Sequence, residues 1–115
     1  MEMAIEGTPV AVAWEDNQAV AELVELAASG PLSIQLSMFG GFEQVGDLGA
    51  SLTTDNAQIT TDAGDIVLYQ GNKIVVFYGS NNWSYTRLGR ITDQSAEDMA
   101  NLLGNGDVRI TISIN

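Results

Sequence analysis

Apolar and polar residues alternate strictly in two stretches of the chain, residues 32–38 and residues 108–114. Such alternation is typical of a β-strand with one buried and one exposed face. The side expected to be buried carries aliphatic residues and methionine: Leu32, Ile34, Leu36 and Met38 in the first stretch, and Val108, Ile110, Ile112 and Ile114 in the second. Both stretches are therefore predicted to be strands.

Two pairs of shorter apolar runs are separated by turn residues. The runs at residues 4–6 and 10–13 are separated by Gly7-Thr8-Pro9. The runs at residues 65–69 and 73–78 are separated by Gln70-Gly71-Asn72. Glycine and asparagine favour the tight turns that connect antiparallel strands. Each pair predicts a β-hairpin, and the chain is expected to continue as strand or extended loop over residues 83–91.

Two segments have the apolar spacing of a helix with one buried face. Residues 17–29 follow a candidate N-cap at Asp16 or Asn17 and end before a Gly-Pro pair. Residues 95–103 begin with a Ser-x-x-Asp sequence, which resembles a capping box with aspartate in place of the usual glutamate. Both segments are predicted to be helices.

Residues 39–61 contain several glycines and many polar residues without sustained periodicity, so this segment is expected to be a long excursion. Long loops in compact domains are often functional. Because strands outnumber helices, the pattern favours a closed or nearly closed antiparallel β-barrel with the two helices over its ends. A ferredoxin-like sandwich is the alternative. The 115 residues are expected to form one domain.

Composition and charge exclude several functions. Fifteen acidic residues against four basic ones give a formal charge of −11, which repels a nucleic-acid backbone. With no histidine and no cysteine, the chain has no residues for a Ser-His-Asp triad, a thiolate metal site or a disulfide. The apolar runs are too short to span a membrane, and the first residues lack the basic start of a secretory signal. We expect a soluble protein, either cytoplasmic or exported with its signal removed.

Several segments together resemble a bacterial family of small cyclophilin-like domains whose biochemical role is unassigned. The resemblance is carried by residues 63–72, residues 74–78 and the Trp83-Ser84-Tyr85-Thr86-Arg87-Leu88-Gly89 run, with similar residues at 16–19 and 104–108. It extends over nearly the whole chain, from about Val10 to the C-terminus. What it implies is a β-barrel related to the cyclophilins.

Cyclophilins proper are peptidyl-prolyl isomerases, so the resemblance raises proline isomerisation as an enzymatic hypothesis. Residues 41–47 are similar to the later part of the cyclophilin signature, with Phe42 and Gln44 as candidate binding residues. The signature's Phe-His-Arg has no counterpart, and the first arginine in this chain is Arg87. Such an isomerase needs a guanidinium that hydrogen-bonds the prolyl nitrogen and weakens the resonance of the amide. We therefore expect a domain without isomerase activity.

A second candidate site follows from alternation along residues 83–87. Trp83, Tyr85 and Arg87 should point to the same side, which would combine two aromatic rings with a guanidinium that binds anions. The structural interpretation of the same residues is that the aromatic rings belong to the core and that Arg87 pairs with a carboxylate. A binding groove is expected between the segment at 39–50 and this strand.

The acidic residues are best explained by local structure. Asp62 and Asp65 lie at a turn, and Asp93, Glu97 and Asp98 surround a helix start, where the helix dipole favours acids. No metal and no cofactor are therefore expected. A catalytic pair of carboxylates stays open, because such a pair is defined by its separation across a cleft. The leading hypothesis is a module that binds a small molecule or peptide, followed by an isomerase-like or carboxylate-based enzyme and then by a protein-interaction domain.

Overall fold

The computed structural model describes residues 1–114, which form eleven strands and two helices. The strands are β1 (Glu2–Ile5), β2 (Thr8–Val10), β3 (Val12–Trp14), β4 (Leu32–Gln35), β5 (Ser37–Phe39), β6 (Glu43–Asp47), β7 (Ala57–Thr60), β8 (Asp65–Tyr69), β9 (Lys73–Phe77), β10 (Asn82–Ile91) and β11 (Arg109–Ser113). The helices are α1 (Gln18–Ala28) and α2 (Ala96–Leu103). The predicted class, mainly β with two helices, is confirmed.

The strands pair in two antiparallel sheets. The smaller sheet has the order β2-β1-β11-β4, and the larger has the order β3-β10-β8-β9-β6-β5. Strand β7 pairs with the first half of β10, outside this path. Most of the two alternating stretches lies where one face is covered by the core, and β11 is an interior strand of the smaller sheet. Met38 and Ile114 were expected on the buried side, but they are 38% and 42% exposed, because the core does not extend over these ends of the stretches.

The chain passes from one sheet to the other at two sharp bends. Only Ala11 separates β2 from β3, and only Leu36 separates β4 from β5. Before Leu36 the chain pairs with β11, and after it with β6, so the strand predicted over residues 32–38 is divided. Because pairing is interrupted at both bends, the pairings among residues 1–114 do not close the sheets into a barrel. The predicted closed or nearly closed barrel is therefore not confirmed.

Both predicted hairpins are present, with two turn residues of positive φ in each. The first turn uses Glu6 (φ 48°) and Gly7 (φ 79°), so it begins one residue earlier than expected. Pro9 lies in β2, an edge strand, where its missing N–H is tolerated. The second turn uses Gln70 (φ 53°) and Gly71 (φ 76°) between β8 and β9, and such angles match the twist of the flanking strands.

The two helices begin where their capping residues predict. The side chain of Asn17 accepts a hydrogen bond from the Val20 N–H (2.9 Å) at the start of α1. In α2, Ser95 and Asp98 form the complete capping box. Among the described residues, no helix is long and apolar enough to cross a membrane.

The expectation of a structureless excursion over residues 39–61 is wrong, because the segment contains β6 and β7. Strand β6 lies inside the larger sheet between β5 and β9. At Gly46 a Cβ atom would lie 2.5 Å from Leu36 Cδ2 and 2.6 Å from the Gln35 carbonyl oxygen. Only glycine therefore allows the bent strand β4–β5 to pass this close to β6.

The hydrophobic side chains form two clusters separated by the larger sheet. The main core contains residues of both sheets and both helices. A smaller cluster lies on the outer face of the larger sheet and consists of Val67, Val75, Phe77 and Tyr85. This second cluster lies beneath the candidate site, and its member Tyr85 lines it.

Candidate functional site

A groove of about 570 Å³ crosses the outer face of the larger sheet. Phe39 and Phe42, on β5 and in the turn that follows it, line one side, and Trp83 and Tyr85 of β10 line the other. Strands β6, β8 and β9 lie between these walls and supply the floor. The groove thus lies between the two segments that the sequence indicated.

A continuous series of aromatic contacts runs across this face. The ring of Phe42 stacks on that of Phe77, with centroids 6.5 Å apart and planes 7° from parallel. Phe77 meets Tyr85 edge to face at 5.6 Å, and Tyr85 meets Tyr69 at 6.0 Å. Phe39 extends the series with an edge contact to Phe42. The rings that line the groove therefore pack on one another and on Phe77 beneath them.

Two large apolar side chains at the rims remain open to solvent. Phe39 is 65% exposed and Trp83 is 55% exposed. Aromatic surface of this size is normally buried, since each ring removes a large apolar area from water when it is covered. The groove therefore offers apolar surface to a ligand.

Three polar side chains line the groove besides the tyrosines and Ser37. The Asn81 amide donates a hydrogen bond to the Tyr85 hydroxyl (2.8 Å), which places that hydroxyl at the groove wall. Lys73 lies near Tyr69, its cross-strand partner. Glu43 is only 6% exposed, and its carboxylate oxygens make no hydrogen bond within residues 1–114 but stay accessible from the groove.

Burial changes the ionisation of two of these groups. It raises the pKa of Glu43 from 4.5 to about 7, because the low-dielectric surroundings penalise the carboxylate. It also raises the pKa of Tyr85, with a smaller contribution in the same direction from the charge of Glu43. The charge of Glu43 therefore acts on the Tyr85 hydroxyl, whereas burial alone shifts the pKa of Glu43.

The pleat of β6 decides which side chains reach the groove. Glu43 lies opposite Phe39 on β5 and Phe77 on β9, and residues opposite each other in an antiparallel pair share a face. The next residue, Gln44, must then point into the main core. Its Nε2 donates to the carbonyl oxygens of Leu103 (2.8 Å) and Gly106 (2.6 Å).

Of the five residues indicated by the sequence, the structure brings three together. Phe42, Trp83 and Tyr85 line the groove. Gln44 lies on the other face of the sheet, fully buried, so the similarity to the cyclophilin signature does not place it in the groove.

Arg87 shares the outer face with Tyr85 but does not line the groove. Its Nη1 lies 3.8 Å from Asp65 Oδ2, and Arg90 Nη1 lies 2.8 Å from Asp65 Oδ1. The carboxylate of Asp65 also accepts a hydrogen bond from the Asp62 N–H (2.8 Å). This arrangement matches the structural interpretation, in which Arg87 pairs with an acid.

Sequence reasoning missed Glu43, Phe39, Tyr69 and Lys73 as groove residues. The signal for Tyr69 and Lys73 was available, because both flank the predicted hairpin turn and alternate with core residues. Glu43 gave no such signal, since β6 was not recognised as a strand.

A second, larger depression of about 670 Å³ lies between α1 and residues 50–53. There the Glu22 carboxylate accepts hydrogen bonds from the Thr53 N–H (2.6 Å) and hydroxyl (2.7 Å), which lowers its pKa. The Glu22 carboxylate is therefore already hydrogen-bonded within the chain. The depression also has no aromatic side chain in its lining. We consider the aromatic groove the better candidate despite its smaller volume. Within residues 1–114 there is no group of three or more acidic side chains arranged to hold a metal ion.

Comparison with known proteins agrees with the fold. The search of curated proteins and the search of solved structures found no match. The model of a family described as the cyclophilin-like family matches residues 3–113, which includes both helices and, except for Glu2 at the start of β1, every strand of the described chain. The chain therefore belongs to the cyclophilin-like family.

Proposed function

We propose that this protein is a binding module that holds a small molecule or a short peptide in the aromatic groove and has no isomerase activity. The observation that carries the proposal is the groove itself, which combines aromatic walls packed on a buried aromatic cluster with exposed rings at both rims. Its volume of about 570 Å³ lies within the range of about 300–1,000 Å³ typical of small-molecule sites.

Two features support a binding role rather than an enzymatic one. Among the groove-lining residues of the described chain, Lys73 is the one cation and Glu43 the one carboxylate. No guanidinium is therefore placed to hydrogen-bond a prolyl nitrogen, and no second carboxylate faces Glu43 across the groove. Gln44, which the similarity to the cyclophilin signature suggested as a binding residue, lies in the core and not in the groove.

A thermal-shift screen of short peptides and small aromatic molecules, followed by calorimetric titration of the hits, tests the proposal. Trp83→Ala should weaken the best hit about tenfold or more, because exposed tryptophans that become buried on binding dominate interface energies. Arg87→Ala serves as the control and should keep wild-type affinity, since its guanidinium contacts Asp65 outside the groove.

Two outcomes would contradict the proposal. A hit whose affinity is unchanged by Trp83→Ala would bind elsewhere on the protein. Acceleration of the cis–trans relaxation of a proline peptide to the extent achieved by an equal amount of a true cyclophilin would show that the groove catalyses isomerisation without an arginine.

A further inference from the structure

Glu43 is the one carboxylate among the groove-lining residues of the described chain. Its side chain is more than nine-tenths buried and lines the groove, yet its carboxylate accepts no hydrogen bond from any residue in the range 1–114. Phe39 and Phe77 lie directly across from it on the two neighbouring strands. Buried carboxylates are normally paired, because an unpaired charge in apolar surroundings is costly. Because the carboxylate oxygens of Glu43 stay accessible from the groove, a ligand that enters the groove can supply the partner in place of water.

The charged and titratable groups facing Glu43 do not supply that partner. Lys73, on β9, is four residues from Phe77, which places its backbone about 13 Å along the strand from the level of Glu43. The described ion pairs both belong to Asp65, so Lys73 and Glu43 do not form one. On β8 and β10 the facing groups are Tyr69 and Tyr85. Neither hydroxyl hydrogen-bonds Glu43 in the described chain, although the Tyr85 hydroxyl, which accepts from Asn81, keeps its proton free to donate.

The surroundings of Glu43 are suited to a cation. Faces of aromatic rings attract ammonium and guanidinium groups, and Phe39 and Trp83 present exposed rings at the two rims. A charge of −11 also concentrates cations near the protein. An ammonium in the groove would donate hydrogen bonds to both oxygens of the carboxylate while its apolar body covered the rings.

We infer that Glu43 anchors the cationic end of an amine ligand whose apolar body lies against the aromatic rings of the groove. This inference rests on the proposed binding function and adds the chemical class of the ligand. The raised pKa of Glu43 agrees with it, since a cation would restore the ionised form that burial disfavours.

Three probes with a similar phenyl body test the inference: phenethylamine, phenethyl alcohol and hydrocinnamate, which are cationic, neutral and anionic. Wild-type protein should bind the amine at least about tenfold more tightly than the alcohol, as a charge-assisted hydrogen bond is stronger than a neutral one. Affinity for the amine should rise about tenfold between about pH 6 and pH 8.5 as Glu43, with its pKa of about 7, becomes ionised while the amine stays protonated.

Glu43→Gln keeps the shape of the side chain and removes the charge. It should abolish the preference for the amine and the pH dependence while leaving the affinity for the alcohol within about twofold of wild type. Glu25→Gln makes the same charge change on the exposed surface of α1 and should behave as wild type. Circular dichroism of the variants verifies the fold, and the pH profile of the wild type tests the inference even if a variant fails to fold.

Several results would overturn the inference. Equal affinity for amine and alcohol, both weakened by Trp83→Ala, would remove the cation site and leave the binding function intact. Tighter binding of the alcohol at low pH would mean that protonated Glu43 acts as a hydrogen-bond donor to a neutral ligand. Binding of none of the three probes would also overturn it, whereas the binding function itself is decided by the broader screen.

Discussion

A carboxylate in an aromatic groove carries a cost that the rest of the fold has to offset. Glu43 is surrounded by rings and meets no hydrogen-bond donor within residues 1–114, so its ionised form is less favourable in the folded chain than in the unfolded one. Its pKa, raised from 4.5 to about 7, expresses this difference. The folded protein therefore holds a proton on Glu43 over a pH range in which the unfolded chain has lost it.

This linkage predicts how Glu43→Gln affects stability. Between pH 4.5 and about 7 the folded state binds more protons than the unfolded state, so Glu43 lowers the free energy of unfolding progressively as the pH rises. The penalty is absent below pH 4.5 and complete above pH 7, where it reaches at most about 3 kcal/mol, because solvent that reaches the carboxylate screens it. Relative to wild type, the variant should gain up to that amount of stability between acidic and mildly alkaline pH, as measured by urea unfolding.

Using the difference between variant and wild type cancels the titration of the other acidic residues. Glu25→Gln provides the matched comparison, because it makes the same charge change at an exposed position of α1. A Glu43→Gln difference that changes with pH no more than that of Glu25→Gln would mean that Glu43 is ionised without penalty in the folded state.

Residue-level prediction from the sequence succeeded where a side chain's direction follows from alternation alone. Trp83 and Tyr85 share a face and line the groove for this reason. For Arg87 the face was also correct, but alternation does not say where a long side chain ends. Its guanidinium lies near Asp65, a carboxylate from a neighbouring strand whose proximity depends on the register of β8 and β10.

At the scale of helices and strands, the elements predicted correctly are those with a strong sequence signal within a short segment. The capped helices α1 and α2 and the hairpin of β8 and β9 each carry their signal within a short segment, and all three are confirmed. Strand β6 could not be found this way. Its inward-facing residues include Gln44 and Gly46, so it lacks the apolar alternation that marks a half-buried strand.

The interior position of β6 depends on partners distant in sequence. Gln44 is tolerated in the core because it satisfies backbone groups of the segment between α2 and β11: two carbonyl oxygens and the Val108 N–H (3.3 Å). Gly46 is required by the bend at Leu36. Neither reason is visible until the tertiary structure brings these segments together, and for the same reason the position of Glu43 in the groove could not be predicted.

The role of Gln44 predicts a large cost when its hydrogen bonds are removed. Gln44→Met keeps the length of the side chain but leaves up to three buried or partly buried backbone groups without a partner. We expect the free energy of unfolding to fall by about 2–4 kcal/mol, because each such group costs about 1–3 kcal/mol when unsatisfied. Urea denaturation with an unchanged slope would measure this loss.

Gln18→Ala is the control for this prediction, since Gln18 is exposed on α1 and bonds only to Glu22 on the same helix. Its effect should stay within about 0.5 kcal/mol. Ligand affinity at the groove should survive Gln44→Met in the fraction that remains folded, because Gln44 faces the core. A stability change as small as that of Gln18→Ala would show that the hydrogen bonds of Gln44 contribute little.

At the scale of the whole molecule, the dominant electrostatic feature is excess negative charge. The charge of −11 is carried by a chain whose principal dimensions are 32 × 31 × 22 Å. Attractive pairs offset little of it, because the ion pairs in the described chain both converge on Asp65. Self-repulsion of this kind destabilises the compact state relative to the expanded unfolded chain.

Screening this repulsion should stabilise the fold. The Debye length falls from about 30 Å at 0.01 M salt, comparable with the molecule, to about 8 Å at 0.15 M. We therefore expect the melting temperature at neutral pH to rise by several degrees over this range of sodium chloride concentration. In a domain of this size, each kcal/mol of added folding stability raises the melting temperature by about 4–8 °C.

The same titration near pH 4 is the control, because many of the fifteen acidic residues are then protonated and the rise should be much smaller. A melting temperature that falls with salt at neutral pH would mean that attractive pairs outweigh the net charge, contrary to the two ion pairs found.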